Sequence, residues 1–319
     1  MEYYFAPLEG ITGAVFREAH NRCFGGVDAY YMPFLSPTRD RVFTPRDLRN
    51  VAPEHNLGFR GVPQLLTREP EDFCWAANAL YEMGYDEVNL NLGCPSGTVT
   101  AKGKGAGLLA DPDGLERLLD GIFGKIQGRV SVKTRLGMND PEGFPRLLEL
   151  FSRYPISLLI LHPRVRADFY RGPIRMEWFR YAVDRYEGAL CFNGGLVAPK
   201  DCAQFQGEYP AISRVMIGRG LLADPALARK MKGGPPAGRE ELRDFHEQLY
   251  RRYLELFSGV RNTVFHMKEL WSYLYRLFEG GGKLFKQIKK AQDGAAYESA
   301  VEQIFRTLPL REDADWSQP

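Results

Sequence analysis

The sequence lacks the features that mark membrane proteins, secreted proteins and metal centres. No run of about 18 apolar residues occurs in the chain, so no membrane span is expected. The amino-terminal stretch MEYYFAPLEG has neither a basic segment nor a sustained apolar segment, so no signal peptide is expected. The five cysteines lie far apart, at positions 23, 74, 94, 191 and 202, and none forms a CxxC pair. We therefore expect no zinc or iron–sulfur site, and cytoplasmic thiols that stay reduced.

Net charge is also small, only +2 over 319 residues, but it is unevenly distributed. Residues 1–228 carry a net charge of −1, residues 229–311 carry +6, and the last eight residues carry −3. A basic segment that follows a neutral body favours a polyanionic partner. A solvated helical surface is the alternative interpretation of the same charges.

What the sequence does contain is a repeated alternation of short apolar runs and helical stretches. Eight such units occupy about 230 residues, which predicts an α/β fold with a parallel sheet, closed as a (β/α)8 TIM barrel. An open doubly wound sheet is the competing architecture, although six strands are more usual there. The strand-like runs are Tyr3–Ala6, Asp28–Met32, Gly61–Leu66, Glu87–Leu92, Val130–Thr134, Ser157–His162, Ala189–Gly194 and Arg214–Gly218.

The alternation stops at the sequence KGGPPAG, which reads as a linker. Beyond it only helical spacing of apolar residues remains. We therefore predict a barrel over residues 1–232, a helical domain over 239–310 and a loose acidic tail over 311–319.

In TIM barrels the active site lies at the carboxyl ends of the strands, which nominates residues directly. These ends supply polar groups and glycines from seven strands: Pro7, Leu8, Glu9, Gln64, Asn91, Cys94, Lys133, Arg135, His162, Arg164, Asn193, Gly194, Gly195, Gly218, Arg219 and Gly220. A barrel without a functional site does not require so many polar groups and glycines at its strand ends.

The last two strands are followed by NGGL and GRGL, which together favour a phosphate site. Glycines allow backbone amides to approach an anion, a helix amino terminus adds a favourable dipole, and Arg219 adds charge. Two tight turns that need positive φ are the alternative. The absence of a GxGxxG element favours FMN over FAD.

Four further strand-end side chains suit a flavin or its substrate. Lys133 is costly in a barrel mouth unless it meets an anion such as reduced flavin, the alternative being that it extends to solvent. Gln64 both donates and accepts hydrogen bonds, as the edge of a flavin or uracil requires, although a satisfied core amide is an equal alternative. His162 and Arg164, in the sequence HPR, can hydrogen-bond a cofactor or substrate ring, although a lone histidine is more often structural.

Cys94 differs from the other cysteines because it follows a strand in a Gly-Cys-Pro turn beside a glycine-rich run. No histidine or aspartate partner for a nucleophilic cysteine is evident locally. A thiol also acts as a general acid, and the glycines and lysines that follow would give its loop mobility. A small buried hydrophobe is the alternative role of a free cysteine.

The motifs, taken in order, resemble those of the tRNA-dihydrouridine synthases over about Tyr3–Leu222. They are APLEGITGAVFR, VPQLL, VNLNLGCPSGTVTAKGKGAGLL, VKTRLG, HPR, NGG and MIGRGLL. The helical remainder resembles that family's RNA-binding domain less specifically. Two departures stand out: Gly195 and Gly13 occupy positions where the family often has Asp.

The resemblance implies an FMN-dependent barrel that reduces uridine in tRNA to 5,6-dihydrouridine with NADPH. It places Pro7, Leu8, Glu9, Gln64, Lys133 and His162 at the flavin, and Asn193, Gly194, Gly195, Gly218 and Arg219 at its phosphate. It makes Cys94 the acid that protonates carbon 5 of uracil and puts Asn91 beside the base, where we also expect Arg135 and Arg164.

We expect the target nucleotide to leave its stack and tRNA to be gripped by Lys286, Lys289 and Lys290 in the basic segment. We expect a monomer.

Two other functions compete with the reduction of uridine in tRNA. The first is a dihydroorotate or dihydropyrimidine dehydrogenase acting on a free pyrimidine. The second is a flavin-containing RNA-binding module with little catalysis.

Overall fold

A parallel sheet of nine strands forms the centre of the computed structural model, which describes residues 1–38 and 40–317. The strand order is β3-β2-β1-β9-β8-β7-β6-β5-β4. The strands are β1 (Glu2–Phe5), β2 (Ala29–Tyr31), β3 (Gly61–Val62), β4 (Gln64–Leu65), β5 (Glu87–Leu92), β6 (Arg129–Arg135), β7 (Leu159–His162), β8 (Leu190–Asn193) and β9 (Arg214–Ile217). All eight predicted strand-like runs are confirmed.

The sheet closes through Pro63, the single residue between its two terminal strands β3 and β4. On one side the nitrogen of Met32 donates to the carbonyl of Val62 at 2.9 Å, and on the other the nitrogen of Asn89 donates to the carbonyl of Pro63 at 2.8 Å. Proline lacks an N–H, which interrupts the strand at this point. Counted as one strand, residues 61–65 make an eight-stranded barrel, so the predicted TIM barrel is confirmed and the open sheet is excluded.

Helices follow nearly every strand, as the alternation predicts. They are α1 (Ala14–Cys23), α2 (Pro45–Val51), α3 (Pro70–Glu82), α4 (Gly97–Thr100), α5 (Pro112–Phe123), α6 (Phe144–Ser152), α7 (Met176–Arg185), α8 (Pro199–Glu208), α9 (Arg219–Ala223), α10 (Leu227–Met231), α11 (Arg239–Phe257), α12 (Val260–Leu274), α13 (Gly281–Lys290) and α14 (Gly294–Thr307). Short 3-10 turns cover Pro53–His55, Gly105–Ala110, Arg166–Asp168 and Tyr275–Leu277. None of the described helices is long and apolar enough to cross a bilayer.

Helix α5 shows how the local sequence sets these elements. Asp111 precedes the helix and caps it, because its side chain accepts a hydrogen bond from the nitrogen of Gly114 at 2.9 Å. Pro112 occupies the first helical position, where proline is well tolerated. Its buried residues recur at helical spacing: Leu115, Leu118, Leu119 and Ile122.

The chain divides into two compact units. The sheet unit comprises Met1–Pro7, Ala29–Gly194 and Ala211–Met216, and the helical unit comprises Leu8–Asp28, Gly195–Pro210 and Ile217–Pro319. The sheet unit is filled by alternating side chains of its strands, among them Tyr31, Ile160 and Cys191. The domain boundary expected between residues 232 and 239 stays a prediction, although residues 239–307 are helical as predicted.

The helical unit has a polar cluster at its centre. The hydroxyl of Tyr297 lies 2.7 Å from His246 Nε2 and accepts a hydrogen bond from Trp271 Nε1 at 3.0 Å. Burial lowers the pKa of His246 to about 3, so its ring is neutral. All three side chains are thereby hydrogen-bonded in an apolar environment.

The end of the chain packs against the helical unit. The nitrogen of Arg311 donates to the carbonyl of Leu277 at 2.8 Å, and the guanidinium of Arg276 lies 4.5 Å from the ring of Trp316. Lys230 forms an ion pair with Asp313. The prediction of a loose tail is therefore wrong for residues 311–317, because a backbone hydrogen bond, a cation–π contact and an ion pair hold it. Residues 318 and 319 lie outside the described residues.

Candidate active site

The predicted site residues fall in both units. The sheet unit contains Pro7, Gln64, Asn91, Cys94, Lys133, Arg135, His162, Arg164, Asn193 and Gly194. The helical unit contains Leu8, Glu9, Gly195, Gly218, Arg219, Lys286, Lys289 and Lys290.

Parallel register brings the strand-end residues of the sheet unit to one edge. Asn91 of β5 is paired with Lys133 of β6, and Arg135 of β6 is paired with His162 of β7. Because parallel strands end on the same side, these side chains belong to the edge where TIM-barrel active sites lie. The sequence therefore predicted this grouping correctly.

Buried amides form a chain across this edge. Asn89 donates to Ser131 Oγ at 2.8 Å and accepts from Gln64 Nε2 at 2.7 Å. Gln64 Oε1 in turn accepts from Asn91 Nδ2 at 2.6 Å. Each amide fixes the orientation of the next, so Gln64 is held with both its nitrogen and its oxygen engaged.

Asn91 ends this chain by holding the turn that carries Cys94. Its Oδ1 accepts hydrogen bonds from the backbone nitrogens of Gly93 at 3.0 Å and Cys94 at 2.9 Å. The same side chain thus links the interior amides to the turn. This contact gives Asn91 a structural task, while its predicted place beside the target base stays a prediction.

Donors on other segments hold the carbonyls of the same turn. Arg135 Nε donates to the carbonyl of Gly93 at 2.9 Å, and the nitrogen of Ala106 donates to the carbonyl of Cys94 at 3.2 Å. Cys94 as a residue is partly exposed. The turn therefore places a partly exposed cysteine on a backbone that is tied on several sides.

The glycines after Cys94 are explained by close packing. Gly105 has φ of +57°, and a Cβ placed there would lie 3.0 Å from the Cβ of Cys94. A Cβ at Gly107 would lie 2.6 Å from the carbonyl oxygen of Thr100. A side chain at Gly105 would therefore push against the Cys94 turn, and one at Gly107 against Thr100 of α4. The structure thus gives Gly105 a packing role beside the turn, and the loop mobility that the sequence suggested stays a prediction.

Lys133 has an unusual electrostatic environment. Burial, together with the positive charge of Arg135, lowers the pKa of Lys133 to about 7. Among the described residues, no group accepts a hydrogen bond from its amine. An ammonium in this position is stabilised by an anion, as an anionic cofactor or substrate would supply.

A second cluster follows β7. His162 Nε2 lies 2.9 Å from Arg164 Nη1, and because arginine only donates, Nε2 is the accepting nitrogen of a neutral imidazole. The ring of Tyr170 stacks on the ring of His162, with 6.4 Å between the two ring centroids. The centroid of the Tyr170 ring also lies 5.3 Å from the guanidinium carbon of Arg135. Tyr170 is 44% exposed and was not nominated from the sequence. Its position in the loop after β7 was the available signal.

Arg135 and Arg164 are both buried and both donate to protein carbonyls. Arg135 Nη1 donates to Val165 at 3.1 Å, and Arg164 Nε donates to Gly172 at 2.7 Å. These bonds brace the loop after β7. A role of either arginine in substrate binding stays a prediction.

The two predicted phosphate loops meet within the helical unit. A Cβ at Gly220 would lie 2.5 Å from the carbonyl oxygen of Leu196, so the start of helix α9, which follows β9, passes directly against the loop after β8. Gly195 has φ of +67°, a conformation that glycine adopts readily and that aspartate tolerates better than most residues. The replacement of the family's Asp by Gly195 is therefore compatible with the same backbone. Binding of phosphate here stays a prediction.

The other departure, Gly13, lies at the amino-terminal cap of α1, with no side-chain hydrogen bond to the helix. An aspartate at this position would accept one from the first turn. Leu8 and Glu9 precede it, and Leu8 donates its N–H to Thr12 Oγ1 at 2.8 Å. Glu9 is exposed.

The lysines of α13 form an exposed basic stripe. Lys283, Lys286, Lys289 and Lys290 point away from the buried residues Leu284 and Ile288. Within the part of the chain that the structure describes, none of the four makes an ion pair with an acidic residue. Their charges are thus available to a polyanion.

Comparisons with solved structures show the fold. Morphinone reductase matches with a TM-score of 0.53 at 14% identity, over 75% of this chain and 87% of that one. The old yellow enzyme homologue from Zymomonas mobilis matches with a TM-score of 0.53 at 12% identity, over 75% and 90%.

Comparisons with sequences show the family. The tRNA-dihydrouridine(16) synthase of Aquipseudomonas alcaligenes is 27% identical over 314 residues, covering 92% of this chain and 96% of that protein. The tRNA-dihydrouridine(16) synthase of Cupriavidus necator is 28% identical over 320 residues, covering 94% and 96%. The family model described as dihydrouridine synthase matches residues 4–307. The chain therefore belongs to the dihydrouridine synthase family, as its motifs predicted.

Proposed function

We propose that this protein reduces uridine in tRNA to 5,6-dihydrouridine, with bound FMN, with NADPH as reductant and with Cys94 as general acid. Family membership and the names of the relatives support the reaction and the substrate, and those names favour the uridine at position 16. The observation that carries the mechanism is the Cys94 turn, which holds a partly exposed cysteine at the strand edge that also contains Lys133.

The residues present fit a flavin mononucleotide. In the sheet unit, the amine of Lys133 has no protein acceptor among the described residues and suits a ring that becomes anionic on reduction. In the helical unit, the paired glycine loops that contain Gly195 and Gly218, together with Arg219, suit a single phosphate. Gln64, fixed by its neighbours, offers hydrogen bonds of defined direction.

The net reaction adds one hydride and one proton across the C5–C6 double bond of uracil and oxidises NADPH to NADP+. FMN, when held by these residues, would supply hydride transfer to C6 of uracil. Cys94 Sγ holds the proton that C5 receives, and the resulting thiolate regains a proton from solvent. Lys133 in its ammonium form stabilises negative charge at the same edge. Asn91 keeps the thiol in place through the backbone of the turn.

The exposed stripe of α13 supports an RNA substrate over a free pyrimidine. Four lysines without acidic partners in the described residues lie in a segment that carries +6, whereas residues 1–228 carry −1. Phosphate contacts of this kind hold a folded RNA by its backbone. The target uridine must leave its stack to reach a flavin ring, and phosphate contacts around it offset that cost.

The test uses purified protein, unmodified tRNA and NADPH. We expect FMN to be released on denaturation and dihydrouridine to form, at position 16 when the product is mapped by mass spectrometry. Parallel reactions with orotate and with uracil distinguish a free-pyrimidine enzyme. Turnover of the free pyrimidines without turnover of tRNA would contradict the proposal, as would a protein that binds tRNA and flavin but forms no product.

A further inference from the structure

The turn that carries Cys94 has a third carbonyl, that of Pro95, and it accepts a hydrogen bond from a distant side chain. Arg166 Nε donates to it at 3.0 Å. Three consecutive carbonyls of the turn, those of Gly93, Cys94 and Pro95, therefore each accept one donor. Asn91 and Arg135 belong to the strands beside the turn, whereas Arg166 reaches it from the loop after β7.

Arg166 is itself held in a defined orientation. Its backbone nitrogen donates to the carbonyl of Gly137 at 2.8 Å, and its Nη2 lies 3.4 Å from Thr100 Oγ1 at the end of α4. Its guanidinium lies 5.0 Å from the ring of Phe169. A fork of donors that meets two acceptors while its face lies against an aromatic ring is a geometry that arginine provides and lysine does not.

The backbone around Arg166 is shaped to support this contact. Asp168 accepts from the nitrogen of Val165 at 3.1 Å and forms an ion pair with Arg175. Phe169 has φ of +49°, which is costly for an aromatic residue, and its ring is 45% exposed. Strain of this kind persists where the surrounding contacts over-determine the conformation, and here it places a ring beside the guanidinium.

The geometry points to Arg166 as a positioning residue that fixes the Cys94–Pro95 turn for proton delivery to uracil. The inference rests on the proposed function and adds to it a residue that does not itself touch the substrate. Proton transfer to carbon depends steeply on placement, since a displacement of about 1 Å can cost about 100-fold in rate. Loss of the bond to Pro95 releases one of the three carbonyls that hold the turn.

The chain offers a matched control in Arg171. It lies in the same loop, carries the same charge and is exposed. Arg166→Met removes the donors and the charge and keeps an unbranched stem, while Arg171→Met removes only a charge. Any general loss of attraction for RNA phosphates therefore appears in both variants.

In the FMN-loaded protein, Arg166→Met should lower the rate of flavin reoxidation at saturating tRNA by roughly 10- to 100-fold relative to Arg171→Met. The two variants should share the same affinity for tRNA and the same rate of flavin reduction by NADPH. Arg166→Lys should recover part of the loss, because an ammonium can still reach the Pro95 carbonyl. In the absence of tRNA, iodoacetamide should alkylate Cys94 severalfold faster in Arg166→Met, because the turn opens. The reaction is measured on the peptide that contains Cys94.

Equal reoxidation rates in the two methionine variants would overturn the inference, as would a loss confined to tRNA affinity, which would make Arg166 a phosphate contact. If Arg166→Met does not fold, the more conservative Arg166→Gln, which also removes the guanidinium that meets Pro95, is compared with Arg171→Gln, and equal reoxidation rates in these two would overturn the inference. If the wild-type protein forms no dihydrouridine, the proposed function fails. The alkylation comparison still decides whether Arg166 fixes the turn.

Discussion

Asn91 Oδ1 lies 2.9 Å from the backbone nitrogen of Cys94. This contact joins the end of a central strand to the turn that carries the thiol, so the position of Cys94 is set by the sheet itself. Because the Nδ2 of the same side chain donates to Gln64, the turn is also coupled to the buried amides of the strand edge. The acid that we propose is thus held by rigid elements, as precise proton transfer requires.

Replacement of Cys94 should separate the two halves of the reaction. In Cys94→Ala we expect flavin reduction by NADPH to persist, because hydride entry needs no thiol, while uridine reduction falls by roughly 10²–10⁴-fold. Stopped-flow absorbance of the flavin and mass spectrometry of tRNA measure the two steps. Cys23→Ala is the control, since Cys23 is also a partly exposed cysteine but lies in the helical unit. Normal dihydrouridine formation by Cys94→Ala would remove the thiol from the mechanism.

Lys133 should take up a proton when an anion binds. Its pKa of about 7 lies below the ordinary lysine value, so the amine is largely neutral at about pH 8, and a bound anion raises that pKa again. Calorimetry of FMN binding in buffers of different ionisation enthalpy should show proton uptake at this pH, and none in Lys133→Met. Lys125→Met, which alters an exposed lysine, is the control. The idea fails if uptake is the same in all three proteins.

The lowered pKa of Lys133 also predicts how the stability of the cofactor-free protein depends on pH. Between about pH 7 and pH 10 the unfolded chain keeps the Lys133 proton and the folded chain does not, so the unfolded state binds more protons. The free energy of unfolding should therefore rise with pH across this window. Urea titrations should show that Lys133→Met lacks this contribution.

Two glycines in positive φ offer a test of the packing beneath Cys94. Gly105→Ala and Gly103→Ala should each lose about 1–2 kcal/mol of stability, because both have left-handed backbone. Only Gly105→Ala should slow uridine reduction, since its Cβ would lie 3.0 Å from Cys94, whereas the Cβ at Gly103 would meet the flexible end of Arg68 at 3.4 Å. Urea unfolding and the limiting reduction rate measure the two effects. Equal activity in both variants would show that the turn adapts.

Removal of charge from α13 should weaken tRNA binding in a salt-dependent way. Changing Lys286, Lys289 and Lys290 to Gln should lower the slope of log affinity against log salt by about 2–3, with flavin content unchanged. The control is the double change of Arg117 and Arg146 to Gln on the exposed surfaces of α5 and α6. If both variants retain the wild-type slope, the stripe is a solvated surface and RNA binds elsewhere.

Tyr297→Phe should destabilise the helical unit. It leaves Trp271 Nε1 and His246 Nε2 without their partner in a buried environment, at a cost of about 1–3 kcal/mol for each unpaired group. Tyr250→Phe should cost less, because water can replace its partly exposed bond to Glu298. The free energy of unfolding in urea decides between them. Equal losses of stability would mean that the buried hydroxyl of Tyr297 contributes no more than the partly exposed hydroxyl of Tyr250.

Much of the secondary structure could be predicted from neighbouring residues. The apolar run Glu87–Leu92 is strand β5, and the amphipathic stretch Ala14–Cys23 is helix α1. Both follow from periodicity, which depends only on side chains a few positions apart. Helix α2 has Val51 as its only buried residue, so apolar periodicity does not reveal it, although the capping box of Thr44 and Asp47 is a local signal.

The sequence alone determined the family, the parallel barrel and the place of Cys94 at a strand end, because motifs and periodicity lie within short stretches of chain. The tertiary structure decided which groups hold that cysteine. The bond from Arg166 to Pro95 spans 71 residues, and Arg276 of the helical unit holds a tail that composition alone suggested was loose. Such contacts depend on where distant strand ends and helix ends converge, and that convergence is set by closure of the sheet and by packing rather than by local sequence.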